Sequence, residues 1–398
     1  MGLYRTQDGI DDASIASIAQ FHDVKSPSAS YLDKKNPFAY VENKLLLRQD
    51  TVFSLKNLSA WKIFTVATAD IELSELDLDT GAFVVGTDYY VYLCDDGANG
   101  LIKISANSTY PAGYSADLSR KIGGFHYGHI RQVSSDGLWI PIDSSGNRFG
   151  STGTIWKNNV TIGIVPNSVW DLKNRPTCSP EGMVKIGRLW VDVYESSVAE
   201  AVSFMAATNG LHIATGRLQS KYGQVPATGI EGLNQYNFNE LADRSGKRLM
   251  SYGEWVRSAF GNPEGEDAAD NYGWTKTTNS ARKRTGCKVN SSTGAYDAVT
   301  GITPYAISAY NAVDCVGNVY EWLDEMTIAQ DTSVWAWQDV LGAGMGDLYA
   351  PNATGIRALI AGGSWLDGVH DGPRCVSLGS CPWLLSTSVG SRLACDAA

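Results

Sequence analysis

The stretch at residues 361–396, AGGSWLDGVHDGPRCVSLGSCPWLLSTSVGSRLACD, places the strongest limit on how this chain can fold. Its apolar side chains follow neither the 3.6-residue period of a helix nor the 2-residue period of a strand. Glycine permits left-handed backbone and proline fixes φ, so the stretch is predicted to be an irregular but specified loop path. These backbone-setting residues are Gly362, Gly363, Gly368, Gly372, Pro373, Pro382 and Gly390.

Side chains of mixed chemistry lie between those glycines and prolines, punctuated by Trp365, Arg374, Trp383 and Arg392. Specified loops on a rigid scaffold are where binding residues concentrate. A frame of fixed residues that carries interchangeable ones favours a recognition surface over a catalytic centre.

The composition limits the class of protein to which this chain can belong. A chain of 398 residues predicts two or three domains. Twelve Trp, 19 Tyr and 41 Gly are typical of a loop-rich, β-rich protein. The net charge of −10 makes general binding to a phosphate backbone improbable, so no nucleic-acid partner is expected.

No stretch approaches the roughly 18 apolar residues that span a bilayer, so no membrane insertion is expected. Residues 1–20 have neither a basic nor a hydrophobic signal region, which predicts no Sec signal peptide. Gly2 and Thr6 fit the short myristoylation pattern, but nothing else in the sequence supports that modification.

The seven cysteines indicate neither a disulfide framework nor a zinc site, because their number is odd and no C-x-x-C pair exists. They are interpreted as reduced apolar fillers. One bridge among Cys375, Cys381 and Cys395 remains an open alternative.

Residues 1–178 are predicted to be a β-rich N-terminal region for attachment or oligomerisation. The runs at 51–93 and 121–131 are rich in the residues that strands favour. Gly86-Thr87-Asp88 is interpreted as a hairpin turn between strands, and 11–20 as a helix. A homotrimer is expected to form through this half.

Residues 179–398 are predicted to form a second domain after the polar linker at 173–181. A strand is predicted over 183–196, and helices over 198–210 and 252–260. A long surface insertion is expected at 261–312, followed by a strand at 313–326.

Four stretches in this half together resemble one family: VKIGRLWVDVYES (184–196), GKRLMSYGEWVRSA (246–259), NAVDCVGNVYEWLDE (311–325) and the glycine-rich stretch at 361–396. The chain resembles the formylglycine-generating-enzyme type of the C-type lectin fold. The resemblance implies an α+β C-terminal lectin-like domain preceded by the β-rich region. It also implies that Glu321 and Trp322 brace the core, and that Arg374 and Arg392 are buried partners of carboxylates such as Glu321 or Asp324.

The same family includes a copper-dependent oxidase, which is one alternative function. Its paired cysteines follow the G-G-S motif, where this chain has Asp367 and, close by, Gly372. Neither residue can replace a thiolate ligand, so oxidase chemistry is disfavoured. No cofactor and no metal are expected. The acidic run at 264–270 is interpreted as a solvated loop, and His126 and His129 as surface or packing residues.

The C-terminal stretch is closer in pattern to the variable region of diversity-generating-retroelement proteins, such as phage tropism determinants. Adenine-directed mutagenesis in that family excludes Lys, Glu, Gln, Met and Trp, and within 366–388 only Trp383 falls outside the permitted types. The resemblance assigns fixed scaffold roles to Trp322, Gly363, Trp365, Arg374, Trp383 and Arg392, with Trp365 and Trp383 as walls beneath the variable side chains. It places variable ligand contacts at Leu366, Asp367, Val369, His370, Leu378, Gly379, Ser380, Leu384, Leu385 and Thr387.

The function predicted from these residues is recognition of a protein or glycan receptor on a cell surface by a diversified C-terminal surface, without enzymatic activity. The expected location is a virion tail or a displayed surface. More loosely, the KIGGFHYG and DTGAFVVGTDYYVYL segments resemble phage tail-fibre proteins. A structural virion protein without a ligand is the remaining alternative.

Overall fold

A computed structural model describes eleven ranges of the chain. They are 37–41, 44–57, 60–66, 69–97, 100–131, 160–207, 210–262, 274–275, 281–287, 306–338 and 348–398. The predicted helix at 11–20 and the acidic run at 264–270 lie outside these residues. Two compact units are present: the first comprises 1–128, 162–175 and 397–398, and the second comprises 129–161 and 176–396.

Among its described residues, the regular structure of the first unit consists mainly of strands. They are β1 (Phe38–Val41), β2 (Lys44–Leu47), β3 (Val52–Asn57), β4 (Ala60–Thr65), β5 (Ile71–Leu73), β6 (Thr87–Asp95), β7 (Gly100–Ser105), β8 (Ser119–Arg131), β9 (Val160–Ile164) and β10 (Trp170–Asp171). The sheets have the orders β1-β2-β5 and β10-β8-β6-β7, with β9 also on β8, and β3 pairs with β4. β6 lies between β7 and β8 in the sheet, and its apolar run is buried on both faces.

The predicted hairpin turn at 86–88 is wrong, because β6 already begins at Thr87. The apolar residues before it do not form a strand. Phe83 instead packs on the rings of Tyr89 and Tyr127, with centroids 4.9 and 4.8 Å away. The Val84 amide donates to the Tyr89 hydroxyl at 2.9 Å, so a side chain replaces the missing ladder bond. The predicted strand at 121–131 is confirmed as part of β8.

The second unit contains ten strands and two α-helices among its described residues. They are β11 (Met183–Ile186), β12 (Leu189–Asp192), β13 (Ser196–Ala207), β14 (Gly210–Ser220), α1 (Gln235–Arg244), β15 (Arg248–Leu249), α2 (Tyr252–Ser258), β16 (Tyr320–Gln338), β17 (Leu348–Ala361), β18 (Val376–Ser380), β19 (Val389–Gly390) and β20 (Leu393–Asp396). The sheets have the orders β11-β12-β20-β15 and β18-β17-β16-β19, and β13 pairs with β14. Strands dominate, so the helical part of the predicted α+β class is small.

Both helices begin at a capping box. Asn234 caps α1 together with Asn237, and Ser251 caps α2 together with Glu254. Each box satisfies amide donors that the first helical turn leaves unpaired. The helix predicted over 252–260 is confirmed by α2. In the part of the chain that the structure describes, no helix is long and apolar enough to cross a membrane.

The helix predicted over 198–210 is wrong, because residues 198–207 lie in β13, which pairs with β14. Val198, Val202 and Phe204 face the core, while the neighbouring Met205 side chain is exposed. Pairing with β14 therefore overrides the local helical preference of the alanine-rich sequence. Bulges within the pair further obscure its two-residue period.

The strand predicted over 313–326 begins only at Tyr320. Before it, Asp314, Gly317 and Asn318 have positive φ, so this part follows a turning path. The described parts of the predicted insertion at 261–312 are tied to the core. Thr285, Cys287 and Ile307, for example, are fully buried.

Candidate functional site

A buried ion pair holds the C-terminal strand in place. The Arg392 guanidinium lies 2.8 Å from the Glu321 carboxylate, and both side chains are buried. Arg392 also donates to the main-chain carbonyls of Asp192, Val193 and Val313. Burial raises the pKa of Glu321, and Arg392 opposes that rise. The arginine therefore joins segments distant in sequence beneath the final strand.

A second buried polar network positions the Gly317-Asn318-Val319 segment. The Asn318 amide donates to Glu195, and Lys283 pairs with Asp314 at 2.8 Å. Burial raises the pKa of Glu195 well above its usual value, and nearby Asp314 adds to the rise. The main-chain carbonyl of Asn318 accepts a hydrogen bond from the Trp365 amide at 3.0 Å. This bond links the network to the Gly362–Trp365 segment.

Residues 366–387, here called the display segment, are held mainly through their backbone. Hydrogen bonds between main-chain atoms are insensitive to which side chains the segment carries. The bonds that fix the segment and its two ends are Trp365 N to Asn318 O (3.0 Å), Gly368 N to Thr275 O (2.8 Å), Gln235 N to Pro382 O (3.1 Å), Gly229 N to Ser386 O (2.8 Å) and Tyr320 N to Ser388 O (2.9 Å).

Two glycines allow the surrounding residues to approach the display segment closely. A Cβ atom on Gly229 would lie 2.3 Å from the Ser386 nitrogen. Gly363 has φ +84, and its Cβ would lie 1.6 Å from the Asp371 carboxylate oxygen. Asp371 is itself buried, so its side chain has little room to move. The frame is therefore complementary to the backbone of the segment at Ser386 and to the buried side chain of Asp371.

Most of the predicted ligand contacts lie on the surface. The four leucines are between 36% and 55% exposed, the lowest value being that of Leu384 and the highest that of Leu385. The exposed members of the set are Leu366, His370, Leu378, Gly379, Leu384, Leu385 and Thr387. Asp367 and Ser380 are half-buried, and the side chain of Val369 lies outside the described part of the structure.

The residues predicted as scaffold divide into two groups. Trp322, Trp365 and Arg392 are buried. Trp383 is 50% exposed, which corrects its expected place beneath the surface. The chain is anchored there by the adjacent Pro382 carbonyl, which accepts from Gln235.

Arg374 is exposed as well, so its expected role as a buried partner of a carboxylate is wrong. Its carbonyl, not its guanidinium, is the anchored group, because it accepts a hydrogen bond from the Tyr252 hydroxyl at 2.8 Å. At both corrected positions the frame binds the backbone and leaves the side chain in solvent.

Sequence reasoning missed the turn that supports the middle of the display segment. Thr228 and Glu231 form a capping box around Gly229, and Arg282 pairs with Glu231 at 2.6 Å. The T-G-I-E sequence at 228–231 matches the capping-box signature and could have revealed this turn. The partners of Gly229 and Gln235 in the display segment carry no comparable local signal.

The residues at the family's copper position do not fit that metal. Asp367 accepts hydrogen bonds from the Ser364 amide and hydroxyl, and Gly372 has no side chain. Burial raises the pKa of Cys375 to about 11, and nearby Asp371 contributes to the rise. Among the residues that the structure describes, no group of three or more His, Cys, Asp or Glu could hold a metal ion.

Leu385 and Leu393 provide a direct test of this division between surface and frame. Leu385→Ala is expected to lower the free energy of unfolding by less than about 1 kcal/mol, because the side chain is 55% exposed. Leu393→Ala is expected to cost about 2–5 kcal/mol, because that leucine is buried in the core. Urea unfolding of both variants measures the difference. Equal losses would contradict the assignment of Leu385 to the surface.

A strand-rich domain that holds a segment of loops and one short strand by its backbone, with large apolar side chains exposed, defines a class of protein that displays a ligand-binding surface. Comparison with known proteins agrees with this class. Residues 158–397 match the family described as Sulfatase-modifying factor enzyme 1-like domain. Residues 39–157 match the family described as Mtd second domain. The chain belongs to the sulfatase-modifying factor enzyme 1-like family, with a C-type lectin-like C-terminal domain preceded by a β-rich region.

Similar proteins extend the match over nearly the whole chain. A tail fiber receptor-binding protein of Bordetella phage BPP-1 is 28% identical over 344 residues, which are 84% of this chain and 78% of that protein. The solved Major Tropism Determinant M1 variant is 26% identical, with a TM-score of 0.64 over 94% of this chain and 87% of its own. The solved U1 variant is 25% identical, with a TM-score of 0.62 over 91% of this chain and 84% of its own. The predicted resemblance to variable proteins of the tropism-determinant type is confirmed.

Proposed function

We propose that this chain recognises a receptor on a cell surface through the exposed side chains of its display segment. The observation that carries the proposal is that the frame holds the segment by its backbone while large apolar side chains remain exposed. Binding residues can then change without loss of the fold. The similarity to a phage receptor-binding tail fibre supports a place in a virion tail.

The chemistry of the display segment suits a protein or glycan receptor. Leu366, Leu378 and Leu385 supply apolar area, and Trp383 joins them as an exposed anchor that sequence reasoning had assigned to the frame. His370 and Thr387 add polar groups. Exposed aromatic and aliphatic anchors surrounded by polar groups are how interfaces concentrate their binding energy.

About ten contact residues are fewer than the roughly 20–30 on each side of a standard interface, so a single site should bind with modest affinity. Display of several copies would increase the apparent affinity through avidity. We propose a homotrimer formed through the β-rich N-terminal half as one such arrangement. Sedimentation equilibrium of the purified chain would test the number of copies.

Oxidase activity is the less favoured function. The matching family is named for an enzyme, but its thiolate positions correspond here to Asp367 and Gly372. A carboxylate that is hydrogen-bonded to Ser364 and a glycine without a side chain cannot supply two sulfur ligands. Copper titration and peptide oxidation assays would detect that activity if it were present.

Cell binding provides the main test. The labelled full chain is incubated with a panel of bacterial strains, and its retention on cells is measured by flow cytometry. On a strain that retains it, replacing both Trp383 and Leu385 with alanine is expected to weaken binding at least about tenfold, through loss of anchor contacts. Leu76→Ala is the matched control, because Leu76 is 93% exposed but lies in the other unit. Unchanged binding of the double variant would overturn the proposal.

The flanking DNA provides an independent test of diversification. A second copy of the coding sequence for 361–396 that differs only at adenines, next to a reverse-transcriptase gene, is expected. A flanking region without such a copy and gene would count against variability while leaving the cell-binding result unaffected.

A further inference from the structure

Two cysteines at opposite ends of the second unit lie in contact. The Sγ atoms of Cys178 and Cys395 are 2.8 Å apart, although the residues are separated by 217 positions in the sequence. Cys395 is buried and Cys178 is half-buried, so small solutes have access to one member of the pair. The sequence left open a bridge among Cys375, Cys381 and Cys395, but the structure places Cys178 beside Cys395.

The backbone next to the two thiols is already paired. The Thr177 amide donates to the Asp396 carbonyl at 3.0 Å, and the Thr177 hydroxyl donates to the same oxygen at 3.3 Å. Cys395 lies within β20, which is hydrogen-bonded to β12 and β15. The two sulfur atoms are therefore held close together by contacts that do not depend on the sulfurs themselves.

We propose that Cys178 and Cys395 form a disulfide bond that closes the second unit when the chain meets an oxidising small-molecule disulfide. The bond requires the sulfur atoms to approach from 2.8 Å to about 2.05 Å. A shift of that size needs only small side-chain rotations. The bond would tie the segment that leads into β11 to the last strand of the domain.

The local charges favour the thiolate that this chemistry requires. A hydrogen bond from the Cys178 thiol lowers the pKa of Cys395 to about 7, and the Lys247 ammonium contributes in the same direction. Lys247 is itself buried in an ion pair with Asp192, at 2.5 Å. The same thiol–thiol bond, together with burial, raises the pKa of Cys178. The two thiols therefore titrate as a coupled pair.

With glutathione disulfide as the oxidant, the reaction balances without any further reagent. Because the two thiols share a hydrogen bond, Cys178, the more exposed of the two, can pass its proton to the Cys395 thiolate and then attack one sulfur of glutathione disulfide, and the first glutathione leaves as its thiolate. The second protein thiol loses its proton and attacks the mixed disulfide, and the second glutathione leaves. Two electrons pass from the protein to the oxidant, and the two thiol protons end on the two released glutathione molecules.

The effect would be on the stability of the whole domain. A cross-link between positions 178 and 395 restricts the unfolded chain over nearly the full length of the unit, and long loops show the largest effects of this kind. It would also hold β20, which follows Arg392 and the display segment. Oxidising conditions are those that a protein meets outside a cell, which is where a receptor-binding surface acts.

The experiment uses the full chain equilibrated with a series of glutathione and glutathione disulfide ratios. Alkylation and peptide mass mapping without reduction are expected to show two fewer free thiols and a peptide that links Cys178 to Cys395. The midpoint of thermal unfolding is expected to rise by roughly 5–15 °C on oxidation, and to return on reduction.

Cys178→Ser should remove both the linked peptide and the rise in the midpoint. Cys375→Ser is the matched control, because Cys375 is also half-buried, and it should preserve both effects. The proposal is overturned if Cys178 and Cys395 stay alkylatable after full equilibration, if the linked peptide joins other cysteines, or if oxidation shifts Cys178→Ser as much as the parent chain.

Discussion

Replacing Arg392 with methionine is expected to lower the free energy of unfolding by about 3–5 kcal/mol, because the change leaves the buried Glu321 carboxylate without its cation. It also removes the donors to three main-chain carbonyls, at Asp192, Val193 and Val313. Urea unfolding followed by tryptophan fluorescence measures the loss. A second change, Glu321→Gln, should recover part of it, because the unpaired charge is then removed.

Arg374→Met is the matched control for Arg392→Met. Arg374 lies within the display segment and Arg392 follows it, but the Arg374 side chain is exposed and its carbonyl is the anchored group. The expected change is within about 0.5 kcal/mol. Similar losses for the two variants would show that the Arg392–Glu321 pair does not hold the final strand.

Gly363→Ala is expected to destabilise the chain by about 2–5 kcal/mol. The new Cβ atom would overlap the buried Asp371 side chain, because it would lie 1.6 Å from the Asp371 carboxylate oxygen and 2.8 Å from the Asp371 Cβ atom. Residue 363 also has φ +84, a conformation that disfavours alanine by roughly 1–2 kcal/mol. Thermal and urea unfolding would measure the effect, and the display segment should become more accessible to proteases.

Gly253→Ala tests whether the loss at residue 363 is specific. Gly253 lies in α2, and nothing lies within 4 Å of the position that its Cβ would occupy. Alanine is preferred to glycine in a helix, so this variant should gain about 0.5–1 kcal/mol. A loss at residue 253 like that at 363 would mean that the close approach to Asp371 is not the cause.

The frame of the second unit was predictable because its signals are local in the sequence. The capping sequence at 251–254 marks the start of α2, and the apolar run at 189–192 marks a buried strand. The pairing of Arg392 with Glu321 followed from the family motifs, in which both residues occur at set positions. Motifs of this kind combine residue type and spacing, so they can be read along the chain.

The wrong predictions concern residues whose structure depends on parts of the chain that are distant in sequence. A helix was expected over 198–210, but residues 198–207 lie in strand β13 because β14 pairs with them. Trp383 and Arg374 were expected in the frame because the family resemblance assigns scaffold roles to these positions. They are exposed because contacts from Gln235 and Tyr252 reach the neighbouring backbone and not these side chains.

By itself, the sequence determined that glycine and proline set the path of the last segment, but it did not reveal β18 (Val376–Ser380), which was predicted as loop and pairs with β17. It also determined the family, through four motifs in order. Only the tertiary structure decided which side chains of that segment reach solvent, and that Cys395 meets Cys178. The reason is physical: exposure and thiol contact depend on backbone hydrogen bonds between residues that lie far apart in the chain, and residue type alone does not encode those partners.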